Sequence, residues 1–593
     1  MNKPLRKLRS RAWFDDPDHP VETAIYIERY LNYGLTAEEL RSGRPIIGIA
    51  QTGSDLAPCN RHHIALAARV RDGIRDAGGV PFEFPVHAIH EMGKRPTAAI
   101  DRNLAYLGLV EILHGYPLDA VVLTTGCDKT TPAGLMAAAV VDLPAIVLSG
   151  GPMLNGWSGE TRVGSGSIIW RARDRLKAGD IDFEQFMQEV LASSPSIGHC
   201  NTMGTALTMN CLAEALGMSL PGCAAIPAAY RERSQMAYST GRRIVEMVHE
   251  DLRVSAILTP AAFRNAIRAC AALGGSTNAT IHLQAIAEAA GHPLALSEWS
   301  RCGAEIPMLV NCQPAGDYLG EDFYRAGGMP AVLGELLRAG VMEGAARTVS
   351  ARSVGELYSD SASSEPRVIR PFADPVRPNG GFVILDSNIF RSAVFKASVL
   401  TDAFRRRYLQ DPQQPGVFVG RTVVFDGPED YHNRIDDPAL AIDEDCILVM
   451  RGCGPLGYPG SAEVVNMSPP DYLVRRGVEI LPCIGDGRQS GTSASPSILH
   501  VTPESATGAG LALVETGDRM RIDLMRCRVD LLVEESELSR RRANAAANRL
   551  NNQTPWQEIY RAYVRPLDEG AGLATEKTYS RIADVEGLPR HSH

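Results

Sequence analysis

Residues 45–151 alternate between short apolar runs and longer amphipathic segments, and this alternation constrains the fold more than any other feature of the chain. Continuous apolar runs rich in β-branched residues occupy 45–51, 80–86, 119–126 and 144–151. Segments with helical periodicity lie between them, at 62–79, 97–117 and 131–141. Fully apolar strands separated by helices are typical of a parallel sheet covered on both faces. We therefore predict an α/β domain here.

The chain of 593 residues is too long for a single hydrophobic core, so we expect at least two domains. Residues 183–345 have mostly helical patterns, and the segment 346–381, poor in periodicity, is interpreted as the interdomain connection. Short apolar runs at closer spacing follow it, which predicts a β-rich, barrel-like domain with flanking helices. We place the domains at residues 1–375 and 376–593.

Three widely separated cysteines share a turn-like context beside Asn or Asp: Cys59, Cys127 and Cys200. Cys59 follows the first predicted strand and Cys127 directly follows a later one. Ligands of parallel sheets bind beyond the carboxyl ends of the strands. A helix is predicted at 202–217 after Cys200, with Asn201 or Thr202 as its cap.

Two interpretations of these cysteines stay open on sequence alone. They are either three unrelated loop residues or the ligands of one iron–sulfur cluster, whose iron would keep an open position for a substrate oxygen. The chain has no CxxC pair, and we predict that eight further cysteines are reduced and buried, as in a cytoplasmic protein. These are Cys211, Cys223, Cys270, Cys302, Cys312, Cys446, Cys483 and Cys527.

Three carboxylates are candidate ligands for a hard cation such as Mg²⁺: Glu91, Asp128 and Glu463. Each taken singly is equally consistent with a surface or helix-capping acid. Lys129, beside Asp128, is ordinarily an ion-pair partner, but it becomes a carboxylate-like ligand if its amine is carbamylated.

Two glycine-rich stretches follow strand-like runs. Residues 452–457, Gly-Cys-Gly-Pro-Leu-Gly, match the dinucleotide fingerprint in form, but prolines stand where its helix should begin, so we interpret them as an irregular loop. Residues 485–492, Gly-Asp-Gly-Arg-Gln-Ser-Gly-Thr, are either a simple turn or a site that holds the hydroxyl of Ser490 near a cation as a base.

Bulk properties exclude several classes of protein. The net charge of −9, with both signs dispersed, gives no basic surface for nucleic acid or anionic membranes. No apolar run is long enough to span a bilayer, and we expect no secretory signal. We therefore expect neither nucleic acid nor a membrane as a partner.

Several long strings together make the chain similar to the dihydroxy-acid dehydratase / 6-phosphogluconate dehydratase family. They are TGCDKTTPAG, VLSGGPM, GHCNTMGTA, LGGSTNA and GDGRQSGT, in that order along the chain. Within the family the chain most resembles the sugar-acid (pentonate) branch, the D-xylonate dehydratases above all, through strings such as GIAQTGSD, AAIPAAYRER and TPWQEIYRA.

The resemblance implies a role for each candidate residue. It makes Cys59, Cys127 and Cys200 the cluster ligands, and the cysteine at position 59 is similar to the 2Fe-2S group of the family. It makes Glu91, Asp128, carbamylated Lys129 and Glu463 ligands of Mg²⁺. It makes Ser490 the catalytic base, supported by Thr492.

The same resemblance implies a hydro-lyase that converts an aldonate, D-xylonate first, to its 2-keto-3-deoxy acid. Branched-chain dihydroxy-acid dehydratases carry Tyr-Glu-Gly-Pro where this chain has Gly-Cys-Gly-Pro, at 452–455. This difference favours a polyhydroxylated substrate. Cys453 then either lines the sugar pocket or fills space. The alternatives are another aldonate (L-arabinonate or D-gluconate), a nicotinamide-dependent oxidoreductase, or a non-catalytic cluster protein.

The resemblance also implies a homo-oligomer, a dimer of dimers. The polar residues 589–593, Pro-Arg-His-Ser-His, end the chain, and we hypothesise that this tail packs at an active site across a subunit interface.

Overall fold

The computed structural model describes residues 8–547, 549–575 and 579. They form an N-terminal α/β unit followed by a closed β-barrel. The hypothesis about residues 589–593 lies outside the described residues. Within the described part of the chain, every helix is too short or too polar to cross a membrane.

The centre of the N-terminal unit is a parallel sheet of four strands: β1 (Ile46–Gln51), β2 (Val80–Pro85), β3 (Ala120–Thr125) and β4 (Ala145–Ser149). Their spatial order is β2-β1-β3-β4, with Ile46 opposite Val80 and Ile47 opposite Ala120. Every residue of β1, β3 and β4 is buried, which explains their continuously apolar sequence. The predicted parallel sheet is thus confirmed.

The direction in which the sheet grows reverses between β1 and β3. Such a reversal opens a crevice at the carboxyl ends of the two strands, which is where open α/β sheets bind ligands. Cys59 and Cys127 follow these two strands. The remaining strands of the unit, β5 (Gly156–Ser158) and β6 (Thr161–Val163), form a separate antiparallel hairpin.

Helices cover both faces of the sheet and build the rest of the unit. They are α1 (Arg11–Phe14), α2 (Pro20–Tyr30), α3 (Ala37–Arg41), α4 (His63–Asp76), α5 (Ala99–Gly115), α6 (Thr130–Val141), α7 (Ser167–Ala178), α8 (Phe183–Leu191), α9 (Thr205–Ala215), α10 (Arg231–His249), α11 (Pro260–Leu273), α12 (Asn278–Ala289), α13 (Ser297–Gly303), α14 (Gly320–Arg325), α15 (Gly328–Arg338) and α16 (Val354–Tyr358).

Three of these helices form the interior of the unit. Every residue of α6 and α9 is buried, and so is most of α12. A helix that is apolar all round belongs in a core. The loops that lead into α6 and α9 carry Cys127 and Cys200, so rigid buried elements position both cysteines.

The predicted cap of α9 is wrong. Its N-cap residue is Gly204, and no side chain caps the helix. Asn201 instead accepts a hydrogen bond from the backbone N–H of Ser165 at 2.8 Å and donates to the carbonyl of Leu154 at 2.8 Å. The polar residues after Cys200 therefore hold a neighbouring loop rather than the helix.

The second unit is a closed barrel of eight strands. They are β7 (Phe382–Ser387), β8 (Ser392–Lys396), β9 (Val417–Asp426), β10 (Cys446–Arg451), β11 (Cys483–Gly485), β12 (Ile498–Thr502), β13 (Arg519–Asp523) and β14 (Arg528–Leu531). The barrel closes in the order β10-β11-β12-β8-β7-β14-β13-β9. Its helices are α17 (Asp402–Tyr408), α18 (Pro428–Arg434), α19 (Asp471–Val474), α20 (Glu535–Asn544) and α21 (Pro555–Tyr563). The predicted barrel-like fold is confirmed.

Strands β9, β10, β11 and β12 are parallel neighbours, so their carboxyl ends meet on one rim of the barrel. Loops from this rim carry Glu463 and Ser490. The barrel therefore follows the same rule as the sheet, since its candidate site residues lie at the carboxyl ends of parallel strands.

The segment 346–381 packs against the N-terminal unit. It contains α16, and two of its residues, Ile369 and Arg377, form β-bridges with Val310 and Met308. The first barrel strand begins at Phe382. The assignment of residues 1–375 and 376–593 to separate domains stays a prediction.

Seven of the eight other cysteines are buried as predicted, but Cys527 is exposed. It lies in the turn between β13 and β14, where its backbone φ is +53°. The prediction of burial was wrong there because a tight hairpin turn keeps its side chains at the surface.

Candidate active site

The three predicted cluster cysteines converge. Cys59 lies in a short 3₁₀ turn after β1, Cys127 directly follows β3, and Cys200 precedes α9. The Cys127 thiol, in hydrogen-bond contact with the Cys59 thiol, raises the pKa of Cys59 well above its ordinary value, together with burial and the nearby Cys200. Burial raises the pKa of Cys200 to about 12. All three are free thiols.

Two buried asparagines connect the three cysteine loops, and we call them the asparagine frame (Asn60 and Asn210). Asn60 follows the first cysteine, and its Oδ1 accepts a hydrogen bond from the backbone N–H of Cys127 at 2.9 Å. Asn210, on α9, donates from Nδ2 to the carbonyl of Gly126 at 3.1 Å and to Nε2 of His199 at 3.2 Å. The frame therefore fixes the residues just before the second and third cysteines.

The hydrogen bonds of Asn210 are fully satisfied. Its Oδ1 accepts from the hydroxyls of Thr125 and Thr131, each at 3.0 Å. A buried amide with four partners is rigid, whereas the same group without them would be costly. His199 contacts the carbonyl of Cys200 through Nδ1 at 3.0 Å, so Nδ1 is the donor and Nε2 the acceptor. Burial lowers the pKa of His199 to about 3, which keeps this ring neutral.

The predicted carboxylates meet beside the cysteines. Glu91 comes from the loop after β2, Asp128 from the loop after β3, and Glu463 from the loop after β10. Lys129 is completely buried, with its Nζ 3.0 Å from Oε2 of Glu91 and 3.5 Å from Oδ2 of Asp128. The negative charge of Asp128 also acts on the thiol of Cys200, so the two groups of side chains are neighbours.

Arg488 joins the carboxylates of the two units. Its Nη2 lies 2.9 Å from Oε1 of Glu91, and its Nη1 lies 2.9 Å from Oε1 of Glu463. Its Nε donates to the carbonyl of Ser461 at 2.6 Å. Glu463 also accepts from Nδ2 of Asn278, at 2.6 Å. One guanidinium therefore spans the interface between the sheet and the barrel.

The charges of this cluster do not balance. Burial alone would raise the pKa of Glu91, but the charges of Lys129 and Arg488 outweigh it and lower that pKa to about 2. Burial raises the pKa of Glu463 to about 7 and also raises the pKa of Asp128. With all three carboxylates ionised, the cluster has one more negative than positive charge, which a bound divalent cation would offset.

Among the described residues, no three His, Cys, Asp or Glu side chains already surround a common point at metal-ligand distances. The donor chemistry nevertheless fits two different groups. Three converging thiols are suited to iron, and three neighbouring carboxylates are suited to Mg²⁺. In this arrangement the positive charges of Lys129 and Arg488 hold the carboxylates in place.

Ser490 lies on the barrel rim, in the loop after β11, and is half-buried. Its Oγ is 2.9 Å from Oγ1 of Thr492 and accepts from the backbone N–H of Thr492 at 3.3 Å. Trp170, on α7 of the N-terminal unit, donates from its indole N–H to Oγ1 of Thr492 at 3.2 Å. The pair predicted from the sequence is thus in contact, and it is held from the other unit.

A single segment of the N-terminal unit, residues 164–170, contacts both sides of the site. Ser165 donates from its hydroxyl to Sγ of Cys200 at 3.5 Å. Gly166 has φ +82° and approaches Thr492 so closely that a Cβ there would lie 2.5 Å from its Oγ1. Only glycine avoids that clash, so the segment fixes the distance between the thiols and the serine.

Comparison with known proteins places the chain in a family. Residues 44–357 match the model of the dihydroxy-acid/6-phosphogluconate dehydratase N-terminal domain, and residues 367–571 match that of the C-terminal domain. The chain belongs to the dihydroxy-acid/6-phosphogluconate dehydratase family. It is therefore an enzyme, a hydro-lyase of this family.

Its curated relatives cover almost the whole chain. A D-xylonate dehydratase of Caulobacter vibrioides is 58% identical over 592 residues, which is 100% of this chain and 99% of the relative. An L-arabinonate dehydratase of Rhizobium leguminosarum bv. trifolii is 44% identical over 96% of both chains. A dihydroxy-acid dehydratase of Caldanaerobacter subterraneus is 38% identical over 88% of this chain and 92% of the relative.

In this dehydratase the glycine-rich loop 452–457 binds carboxylates of its own chain. The N–H groups of residues 452 and 453 donate to Asp486 at 3.1 and 2.8 Å, and those of residues 456 and 457 donate to Glu504 at 2.8 and 2.9 Å. These N–H groups are not free for a phosphate, which argues against a nucleotide site. Cys453 is fully buried, and a Cβ added to Gly487 would lie 3.0 Å from the Cβ of Cys453, which favours the interpretation that this cysteine fills space.

Four positions of the candidate site are not predicted from the sequence. Arg488 and Asn278 lie in strings that carried the family resemblance, but no role was assigned to them. Asn210 and Trp170 lie outside those strings. The sequence signal for Asn210 is a polar residue inside an otherwise apolar helix. The signal near Trp170 is Gly-Ser-Gly-Ser at 164–167, which indicates a close approach of the backbone.

Proposed function

We propose that the enzyme dehydrates a sugar acid, D-xylonate in preference to other aldonates, to the 2-keto-3-deoxy acid. The observation that carries this proposal is the convergence of three thiols, three carboxylates and Ser490 at the meeting of the sheet and the barrel rim. The full-length identity of 58% to a D-xylonate dehydratase supports the substrate, against 44% to an L-arabinonate dehydratase.

We propose a 2Fe-2S cluster on Cys59, Cys127 and Cys200, and Mg²⁺ on Glu91, Asp128, Lys129 and Glu463. When bound, the cluster supplies a Lewis-acidic iron for a hydroxyl group of the substrate and Mg²⁺ supplies charge stabilisation. The soft and hard donor sets support this division. The carbamylation of Lys129 is part of the proposal, because it would turn a buried amine beside two carboxylates into a ligand.

The residues of the chain then perform the proton chemistry. Ser490 Oγ takes the C2 proton of the 2,3-dihydroxy acid, and Thr492 stabilises the serine oxygen from two positions, its N–H and its hydroxyl. The C3 hydroxyl leaves and takes up the proton that Ser490 accepted, so that one water is released and the serine oxygen is restored. The resulting enol tautomerises to the 2-keto-3-deoxy acid. The reaction removes water without net oxidation or reduction, so no nicotinamide is needed.

We assign the ligands and the base to the two domains according to the fold. We propose that the domain of residues 1–375 carries the cluster and most Mg²⁺ ligands, and that the domain of residues 376–593 supplies Glu463 and the base. We further propose a cytoplasmic homo-oligomer, a dimer of dimers. All twelve cysteines are free thiols, which supports the reducing compartment.

A panel of aldonates tests the function directly. The iron-reconstituted enzyme with Mg²⁺ is assayed for keto-acid formation from D-xylonate, L-arabinonate and D-gluconate, without nicotinamide. We expect the highest kcat/KM for D-xylonate. A preference for another aldonate would reassign the substrate, and the absence of keto acid from every aldonate would contradict the proposal.

The modification of Lys129 has its own test. Isotopically labelled bicarbonate should give a carbamate signal by nuclear magnetic resonance in the wild-type enzyme and none in Lys129→Met. An identical signal in both proteins, or none in either, would contradict carbamylation while leaving the dehydratase proposal intact.

A further inference from the structure

One hydrogen bond beside the candidate base has a fixed direction. The indole N–H of Trp170 can only donate, so Oγ1 of Thr492 is the acceptor in that 3.2 Å contact. The hydroxyl hydrogen of Thr492 remains available. Within the described residues, the only other polar atom at hydrogen-bond distance from Oγ1 of Thr492 is Oγ of Ser490, at 2.9 Å.

We propose that Trp170 is a positioning residue for the dehydration, acting through Thr492 on Ser490. By occupying a lone pair of Oγ1, its N–H directs the hydroxyl hydrogen of Thr492 toward the serine oxygen. Ser490 Oγ then receives two donors from residue 492, the hydroxyl at 2.9 Å and the backbone N–H at 3.3 Å. Donors aimed at an oxygen favour its ionised form, which is the form that acts as a base.

Trp170 is itself held in place on the N-terminal unit. The guanidinium of Arg173 lies 5.3 Å from the centre of its ring. Further along α7, Lys177 pairs with Asp471 of the barrel unit at 2.8 Å. The helix that carries the indole is thus attached to the unit that carries the serine, and the donor reaches Thr492 only when the two units are packed together.

The segment 164–170 also connects the candidate base to the cysteines. Ser165 contacts the thiol of Cys200, and Trp170 contacts Thr492 five residues later. The segment therefore fixes the base relative to the thiols that we propose hold the cluster. This inference rests on the proposed role of Ser490, and it adds a residue to which neither the comparisons nor the sequence strings give a role.

Trp170→Phe tests the proposal because it keeps an aromatic ring and removes the N–H. We expect kcat to fall about 3- to 10-fold, the range that one hydrogen bond supports, with KM within about twofold. The visible spectrum and the iron content of the holoenzyme should be unchanged. The deficit should be largest at low pH and should narrow as pH rises, because a less stabilised serine oxygen ionises at higher pH.

The matched control is Trp157→Phe, which changes a tryptophan on β5 that is 47% exposed. We expect its kinetics to equal those of the wild type. A decisive comparison adds Thr492→Val: if Trp170 acts through Thr492, the double variant should be no slower than Thr492→Val alone. Independent, multiplying losses in the double variant would overturn the proposal, as would wild-type kinetics in Trp170→Phe.

Two outcomes separate this inference from the proposed function. If Ser490→Ala is inactive while Trp170→Phe is fully active, only the inference about Trp170 fails. If Ser490→Ala retains turnover, the base itself is misassigned. A fall in the unfolding midpoint of Trp170→Phe, with an equal loss of activity at every pH, would show a merely structural role and would also overturn the proposal.

Discussion

The three cysteines come from one unit, whereas the carboxylates and the serine come from two. Cys59, Cys127 and Cys200 lie at the reversal point of the parallel sheet and are connected by Asn60 and Asn210 of the same unit. The other half of the site needs the barrel, because Arg488 and Glu463 meet Glu91 across the interface.

This difference divides the site into two halves that depend on different parts of the fold. The thiol half is fixed by buried helices and by neutral hydrogen bonds, so it depends on the N-terminal unit alone. The carboxylate and serine half depends on how the two units pack, through Arg488 on one side and Trp170 on the other. We expect damage to the first half to affect the proposed cluster, and damage to the second half to affect turnover while the cluster stays.

Replacing any cluster cysteine should have the largest effect. We expect Cys59→Ser, Cys127→Ser and Cys200→Ser each to lose the visible chromophore and the activity together, since the three thiols lie close to one another and each is a proposed ligand. Absorption spectra and iron analysis measure the outcome. Cys527→Ser, at an exposed turn, should leave both unchanged. Retained iron and colour in one of the three variants would remove that cysteine from the ligand set.

Ser490→Ala should separate the two halves. We expect it to keep the chromophore and lose turnover by about 10²–10⁴-fold, the usual contribution of a general base, or by more if the serine also helps to hold the cation. Single-turnover assays and the spectrum of the same sample give both readouts. Activity within about tenfold of wild type would assign the base to another residue.

Arg488→Met tests the carboxylate half through stability. Removing one partner of a buried ion pair leaves uncompensated charge and typically costs about 3–5 kcal/mol. We therefore expect a loss of that size in the free energy of unfolding measured in a chelator, and a smaller loss with excess Mg²⁺, which would replace the missing positive charge.

Arg391→Met is the control for Arg488→Met. Arg391 pairs with Asp568 at 2.7 Å, but its side chain is 58% exposed. Exposed pairs contribute about 0–1 kcal/mol, so we expect little change in unfolding. Equal losses in the two variants would show that Arg488 does not hold a charged cluster together, and the contrast between the two halves of the site would then be wrong.

Sequence patterns predicted the half of the site that depends on local structure. Continuous apolar runs specify strands buried on both faces, so the sheet and the position of Cys127 at a strand end follow from a few neighbouring residues. The barrel was likewise recognisable from short apolar runs. The site residues of the barrel rim, Glu463 and Ser490, were candidates from their residue types and a glycine-rich stretch, and the family resemblance gave them their roles.

The interface contacts could not be predicted in this way. Arg488 reaches Glu91 across 397 positions of sequence, and Trp170 reaches Thr492 across 322. No local pattern records such a contact. The capping error at Asn201 has the same origin, because a residue that is well suited to start a helix was used to hold a distant loop instead.

The smallest effect is expected from the asparagine frame, and it tests whether the thiol half is as self-contained as the structure indicates. Asn210→Ala removes hydrogen bonds to Gly126 and His199, next to two of the cysteines, without touching a thiol. Each hydrogen bond contributes about 0.5–1.5 kcal/mol. We expect the cluster to assemble but to be lost several-fold faster in a chelator, while kcat per remaining cluster stays near wild type.

Asn265→Ala is the matched control for Asn210→Ala. Asn265 is also a fully buried helical asparagine, but its side chain bonds the backbone of Glu343 at 2.8 and 3.1 Å, and the structure shows no contact between it and the cysteine loops. Both variants truncate a fully buried helical asparagine, so a faster loss of the cluster in Asn210→Ala alone would identify the frame as the cause. Equal rates of cluster loss in the two variants would mean that the cysteine loops keep their positions without it, and that the thiol half is held by the surrounding core.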